Sequence, residues 1–130
     1  MADTAIPDGY HSVNTIINVP DAEGLIQFLE AAFEATEVGE RDLLPDGRVG
    51  HAKVRIGDSI VMIAQATESA PARPCVVFVF TDHVDSVHKT ALGAGAASIL
   101  APTDQPSGMR ESAFYDPWDN RWWVARASAS

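Results

Sequence analysis

The chain nearly repeats itself. Asp21 in "NVPDAEG" recurs sixty-one positions later as Asp82 in "VFTDHVD", Asp58 in "IGDSIVMIA" as Asp119 in "PWDNRWWVA", and Ala64 as Ala125. Each half has the same order: an apolar strand, an Asp-started helix, then two strands joined by a tight turn that holds the second Asp. A supersecondary unit duplicated on this scale lets each position be compared with its partner in the other half.

Local patterning predicts two βαβββ modules, at about residues 11–66 and 74–127 of one domain spanning 1–130. In the first, "SVNTIINV" is a β-branched strand and "DAEGLIQFLEAAF" a helix capped by Asp21, with Leu25, Ile26, Phe28, Leu29, Ala32 and Phe33 on its apolar side and Gly24 weakening it slightly. "ATEVGERDLL" is expected to be a strand, Pro45–Gly47 a turn, and "RVGHAKVRI" and "SIVMIAQ" a hairpin around Gly57 and Asp58. Ala66–Pro74, rich in Ala, Ser and Pro, is the linker. In the second module "CVVFVFT" is a strand, and "DHVDSVHKTALGAG" a helix with Val84, Val87, His88 and Ala91 on one face and a glycine stop. "AASIL" is a strand, "APTDQPSG" a loop, and "MRESAFYD" and "RWWVARA" pair around "PWDN".

With 130 residues, 46% of them hydrophobic, the chain can bury a core without disulfides or metal. No apolar run approaches the roughly 20 residues of a membrane span, and "MADTAIPDGY" lacks the regions of a signal peptide, so a cytoplasmic location and no membrane partner are expected. A net charge of −9 disfavours nucleic acid, whose phosphates demand the opposite sign, and accommodates a neutral or cationic ligand more easily. The single Cys75 has no intrachain partner and sits in a buried-looking strand.

Standard catalytic signatures are missing. "GAGA" at 93–96 closes a helix where a dinucleotide fingerprint would open one, and no nucleophile elbow occurs. His83 and His88 lie five apart, off the i, i+4 spacing of paired metal ligands, and with His11 they are read as surface or flank residues. Asp116, Asp119 and Arg121 are explained by turn chemistry and a salt bridge. Arg110 shares a hairpin with Trp123 and could clamp an anion at a cavity mouth.

Paired βαβββ modules with "VPD" before the first helix, "DGRVGHAKVRIGDS" in the middle and "DPWDNRWW" near the end resemble the vicinal oxygen chelate superfamily of glyoxalases, extradiol dioxygenases and fosfomycin- and bleomycin-resistance proteins. The PhnB-like glyoxalases are the nearest flavour. The resemblance covers about residues 11–126 and implies an α+β fold whose two modules curl into a half-barrel around a cavity, commonly completed in a homodimer.

Catalytic members of that superfamily chelate a divalent metal through the first and last strands of each module. By resemblance and the sixty-one offset, those positions fall on Asn14, Met62, Cys75 and Trp123, a poor donor set for a hard ion, so neither metal nor other cofactor is expected. An amide, a thioether, a thiol and an indole instead suit a pocket lining for a small aromatic or cationic ligand, and the bleomycin-resistance branch supplies the analogy. Filling of a collapsed core is the plainer reading of the same side chains. His51, in the middle strand where PhnB-like sequences commonly carry His, is either a structural residue or a cavity anchor and general base. The expectation is a homodimeric, metal-independent binding protein with a cavity formed by Asn14, His51, Met62, Cys75, Arg110 and Trp123. The alternative is an enzyme of lyase, isomerase or dioxygenase type, with unrecognised metal ligands around His51 and Glu40 or with acid–base catalysis at His51.

Overall fold

The computed structural model describes residues 5–128. The first module runs β1 (Thr15–Val19), α1 (Ala22–Phe33), the two-residue strands β2 (Thr36–Glu37) and β3 (Asp42–Leu43), β4 (Val49–Ile56) and β5 (Ser59–Gln65). The second runs β6 (Val76–Phe80), α2 (Val84–Gly93), β7 (Ala97–Asp104), β8 (Arg110–Tyr115) and β9 (Arg121–Arg126). Sheet order is β1-β5-β4-β2 in one, with β3 also on β4, and β6-β9-β8-β7 in the other. First and last strands are parallel and all other pairs antiparallel in both, so the duplication read from the sequence is a duplication of topology.

Two elements differ from expectation. The segment 35–44 is not one strand, because a turn with Gly39 in the left-handed region separates β2 from β3. The loop expected over 101–108 is half strand: β7 continues to Asp104, paired with Arg110, across register shifts between Ser98 and Thr103. Pro102 lies in that irregular stretch, where a missing ladder N–H costs little.

One core joins the modules. Ile17, Val54, Val61 and Ile63 from the first sheet and Phe114, Trp122 and Val124 from the second belong to the same buried cluster as Leu25, Ile26 and Leu29 of α1 and Val84, Val87 and Ala91 of α2. Phe33 of α1 stands 5.2 Å from the Trp122 ring and Phe28 lies 6.0 Å from Phe114, contacts typical of tilted aromatic pairs. Gly24 has a specific role here: a Cβ on it would stand 2.7 Å from Trp118 of the other module and 2.5 Å from the Asp21 carboxylate that caps the helix. The glycine is a cross-module packing requirement, beyond any cost to helix propensity.

The repeat offset is not uniform. Val61 and Trp122 are equivalent last-strand residues sixty-one apart, but Thr15 pairs with Val61 whereas Val77 pairs with Trp122. The first strand and helix of module two are therefore displaced by one further residue. The N-cap of α2 is accordingly His83, with no side-chain cap bond, in place of Asp82, and the buried helix positions Leu25, Ile26 and Leu29 correspond to Val87, His88 and Ala91.

Candidate functional site

Alternation along each strand divides its residues between a face covered by the helices and an open face. In β9, Trp122 and Val124 are fully buried on the helix side, so Trp123 points the other way and is half-buried. In β5, Val61 and Ile63 are buried and Met62 takes the open face, opposite Ile16 on β1 and Lys53 on β4. His51, paired with Ala64, shares that face. The structure thus places Met62 and His51 on the open face of the first sheet and Trp123 on the equivalent face of the second.

Of the other three expected site residues, Cys75 and Arg110 stand elsewhere, and Asn14 has the parity of Ile16 but turns its side chain to its own loop. By register Asn14, just before β1, corresponds to Val76 and not to Cys75. Its side chain is engaged locally, accepting from the His11 N–H at 2.9 Å and donating to the His11 carbonyl. Cys75 has the parity of Val77 and Val79 and packs half-buried against the core. Its N–H donates to Asn120 Oδ1 at 3.1 Å, and burial, reinforced by nearby Asp116, pushes its thiol pKa up, the opposite of an activated nucleophile. Arg110 pairs with Arg126 on the helix side, where its guanidinium forks onto Asp85 of α2 at 2.8 and 3.1 Å and reaches Asp104 at 3.0 Å. Hydrogen bonding by Asp85 and then Asp104 raises the Arg110 pKa, and the same bond lowers that of Asp85. The residue ties β8 to α2 across the sheet from Trp123.

"DPWDNRWW" is a structural device. Asp116, 3% exposed, accepts hydrogen bonds from the N–H groups of Trp118 and Asn120, from Asn120 Nδ2 and from Trp122 Nε1, at 2.8 to 3.0 Å. Asp119 takes the left-handed conformation the turn requires, at φ 70°. The expected salt bridge to Arg121 does not form; Arg121 lies over the Tyr115 ring at 5.7 Å. His88 is likewise no flank residue. It is 4% exposed, Nε2 sits 2.9 Å from Ser98 Oγ, Nδ1 has no partner, and burial lowers its pKa against the weaker pull of Asp85.

Neither Met62 nor Trp123 lines any of four clefts on the surface. One of ≈ 470 Å³ runs between β1, the β4–β5 turn and β6, past His11, Asn14, Asp58 and Phe78, and one of ≈ 420 Å³ surrounds Arg110. The others lie at the C-terminal end of α1 and around Arg41, which Glu37 and Glu23 clasp at 2.6 to 3.1 Å. Among the described residues no three His, Cys, Asp or Glu side chains are gathered where they could hold a metal ion. No helix among those residues is long and apolar enough to cross a membrane.

Sequence reasoning missed a basic column. His51, Lys53 and Arg55 alternate with buried Ala52, Val54 and Ile56, so all three emerge on the open face beside Met62. The signal was present as "HAKVR", a strand with a basic residue at every second position.

The family model for the Glyoxalase/Bleomycin resistance protein/Dioxygenase superfamily matches residues 11–124. The chain is 32% identical over 115 residues to the protein Mb0911c of Mycobacterium bovis, covering 80% of this chain and 75% of that one. The fold is that of TioX from Micromonospora sp. ML1, with a TM-score of 0.71 at 20% identity over 88% of this chain and 98% of that one. It is also that of a PhnB protein from Bacillus cereus, with a TM-score of 0.70 at 17% identity over 90% of this chain and 100% of that one.

Proposed function

Since the chain belongs to the Glyoxalase/Bleomycin resistance protein/Dioxygenase superfamily, we propose that it is a metal-independent binding protein, whose open sheet faces around Met62 and Trp123 hold a small aromatic or otherwise apolar molecule. One observation carries this reading: the positions at which the resemblance would place metal ligands offer a thioether, an indole, an amide tied to His11 and, by the actual register, the side chain of Val76. Such a set does not fit a chelated divalent ion, whose ligands are imidazole, carboxylate or thiolate. It does fit an apolar ring, since Met adapts to irregular shapes and Trp presents a broad flat face.

A second copy of the chain completes the site in this proposal. Val76, Phe78 and Phe80, on the same face as Trp123, are 63%, 50% and 64% exposed, and Ile16 beside Met62 is 55% exposed. Such a row on an edge strand favours cover by a partner, and isologous pairing would bring the open face of one module against that of its neighbour. Acid–base catalysis at His51 finds less support, because the Asp42 carboxylate stands 3.9 Å from Nδ1, too far to orient the ring.

Metal analysis of protein purified without chelator, combined with a thermal-shift screen of neutral aromatic compounds, tests the proposal. The expected result is metal far below stoichiometric and at least one compound whose affinity falls about five- to a hundredfold in Trp123→Ala, the loss of about 1 to 3 kcal/mol of ring contact. A stoichiometric transition metal, or hits that bind Trp123→Ala as tightly as the parent, would overturn it.

A further inference from the structure

We infer that the ligand is an aromatic anion, its carboxylate or equivalent acid group held by Lys53 with His51 beside it while its ring lies among the apolar side chains of the open faces, Met62, Ile16 and Trp123. This rests on the binding function proposed above and reverses the cationic ligand suggested by net charge. The first support is placement. Lys53 is the cross-strand partner of Met62, and Met62 in turn neighbours Ile16, so a charged column and an apolar column run side by side across three strands. Direct cross-strand neighbours lie about 5 Å apart at Cβ and successive same-face residues of β4 about 7 Å apart, so an anion on Lys53 and a ring on Met62 are within the span of one small molecule.

The second support is the absence of internal partners. Arg41, Arg48 and Arg110 all form salt bridges within the chain. Among the described residues Lys53 and Arg55 form none, as is also true of Arg73, Lys89, Arg121 and Arg126; of these, Lys53 and Arg55 are the ones that share the open face beside Met62. The Asp42 carboxylate near His51 is 85% exposed and makes no hydrogen bond to it. Arg55 plays the smaller part, because Gly9 lies close over it, a Cβ there standing 2.8 Å from Arg55 Nη1; Lys53 is looser, its ammonium resting beside the β2–β3 turn at ordinary contact distance, 3.6 Å from where a Cβ on Gly39 would be.

The third support is the repeat itself. Met62 and Trp123 are equivalent, and their partners on the adjacent strand are Lys53 and Ala113. By the same registers His51 corresponds to Glu111 and Arg55 to Tyr115. The second module builds the same sheet with Glu, Ala and Tyr, so the fold does not require the basic column. Local potential, not the net charge of −9, decides binding at contact distance, since exposed charges beyond about 10 Å are screened at ordinary salt.

Isothermal titration at pH 7.5 with three matched probes, 2-naphthoate, 2-naphthamide and 2-naphthylmethylammonium, separates the possibilities. Naphthoate is expected to bind about ten- to a hundredfold tighter than the ammonium probe, in line with a charge-assisted hydrogen bond. Lys53→Met should bring naphthoate to within about threefold of naphthamide, whose own affinity stays near that of the parent, whereas Arg48→Gln, which removes a positive charge elsewhere, should leave the naphthoate preference intact. Equal or tighter binding of the amide or ammonium probe would overturn the charge inference while leaving the binding proposal standing. If none of the three binds at millimolar concentration, the binding proposal itself falls. Should Lys53→Met not fold, raising salt on the parent gives the same decision, because only naphthoate affinity should then decline.

Discussion

Removing the Asp116 carboxylate should destabilise this protein more than any other single change of a polar residue in the second module. The side chain accepts four hydrogen bonds, and three of the donors, Asn120 N, Asn120 Nδ2 and Trp122 Nε1, belong to residues no more than 2% exposed. In Asp116→Ala those donors lose their acceptor and water has little access, at a cost of about 1 to 3 kcal/mol for each buried unsatisfied group. Partial relaxation keeps the sum below simple addition, at about 3 to 5 kcal/mol. The loss spreads, because Asn120 also accepts from the N–H of Cys75, the residue just before β6. With unfolding entropy near 2.1 cal/mol/K per residue, a loss of about 4 kcal/mol in a chain this size lowers Tm by about 15 °C. Urea denaturation followed by fluorescence reads the loss directly as a fall in midpoint at constant slope. Asp116→Asn should cost about 2 to 3 kcal/mol, since the amide keeps one acceptor but turns a donor towards Asn120 Nδ2 and Trp122 Nε1. In a Trp122→Phe background that cost should shrink by about 1 kcal/mol, because one of the opposed donors is gone. An Asp116→Ala protein within about 1 kcal/mol of the parent would refute the carboxylate as organiser of the turn.

Two further predictions concern packing and pH. Gly24→Ala, which would gain about 1 kcal/mol in an unhindered helix, should instead lower stability by about 1 to 3 kcal/mol because its Cβ collides with Trp118 and Asp21; a raised midpoint in urea would contradict this. His88 has a folded pKa below the usual histidine value of about 6.5, so the unfolded chain takes up the proton first and stability is lost as pH falls below 6.5 towards the folded pKa. His88→Gln should show a flatter stability profile over that window, and an unchanged slope would show that acid loss comes from other groups.

The topology was legible because hydrophobic periodicity and turn chemistry agree in both modules. Strand alternation in "RWWVA" puts Trp122 and Trp123 on opposite faces, and the structure buries Trp122 and leaves Trp123 on the open one. What could not be read was register. A repeat aligned on Asp21 with Asp82 and Asp58 with Asp119 fixes one average spacing, yet the two hairpin turns differ in length and the first strands differ by one residue. A one-residue slip exchanges faces in a strand. It moved Cys75 from the open face to the core and put Val76 in its place. Arg110 was misplaced for the same kind of reason: membership of a hairpin says nothing of face, and parity with Phe114 puts it on the helix side. His88 needed a tertiary fact, the approach of Ser98 on β7, that no helical spacing reveals.

The motifs that carry the family resemblance and the residues of the proposed ligand site are therefore different residues. Asp116, Asn120 and Trp122 match because they build a turn with four hydrogen bonds, and Gly57 and Asp58 because they close a hairpin. Such residues report the fold and leave the chemistry open. The chemistry is informative where the two modules disagree although the same backbone supports both. Lys53 against Ala113, His51 against Glu111 and Arg55 against Tyr115 are three disagreements on one strand, all on the open face. On the helix side of the same strands Ala52 corresponds to Ser112 and Val54 to Phe114, all four no more than 1% exposed, while Arg110 on that side is tied to Asp85 of α2. Part of the open-face asymmetry is packing, since Ala113 is fully buried and Tyr115 lies under Arg121; the exposed remainder, Lys53 and His51 without a basic counterpart, is what the ligand proposed above would require of one module and not the other.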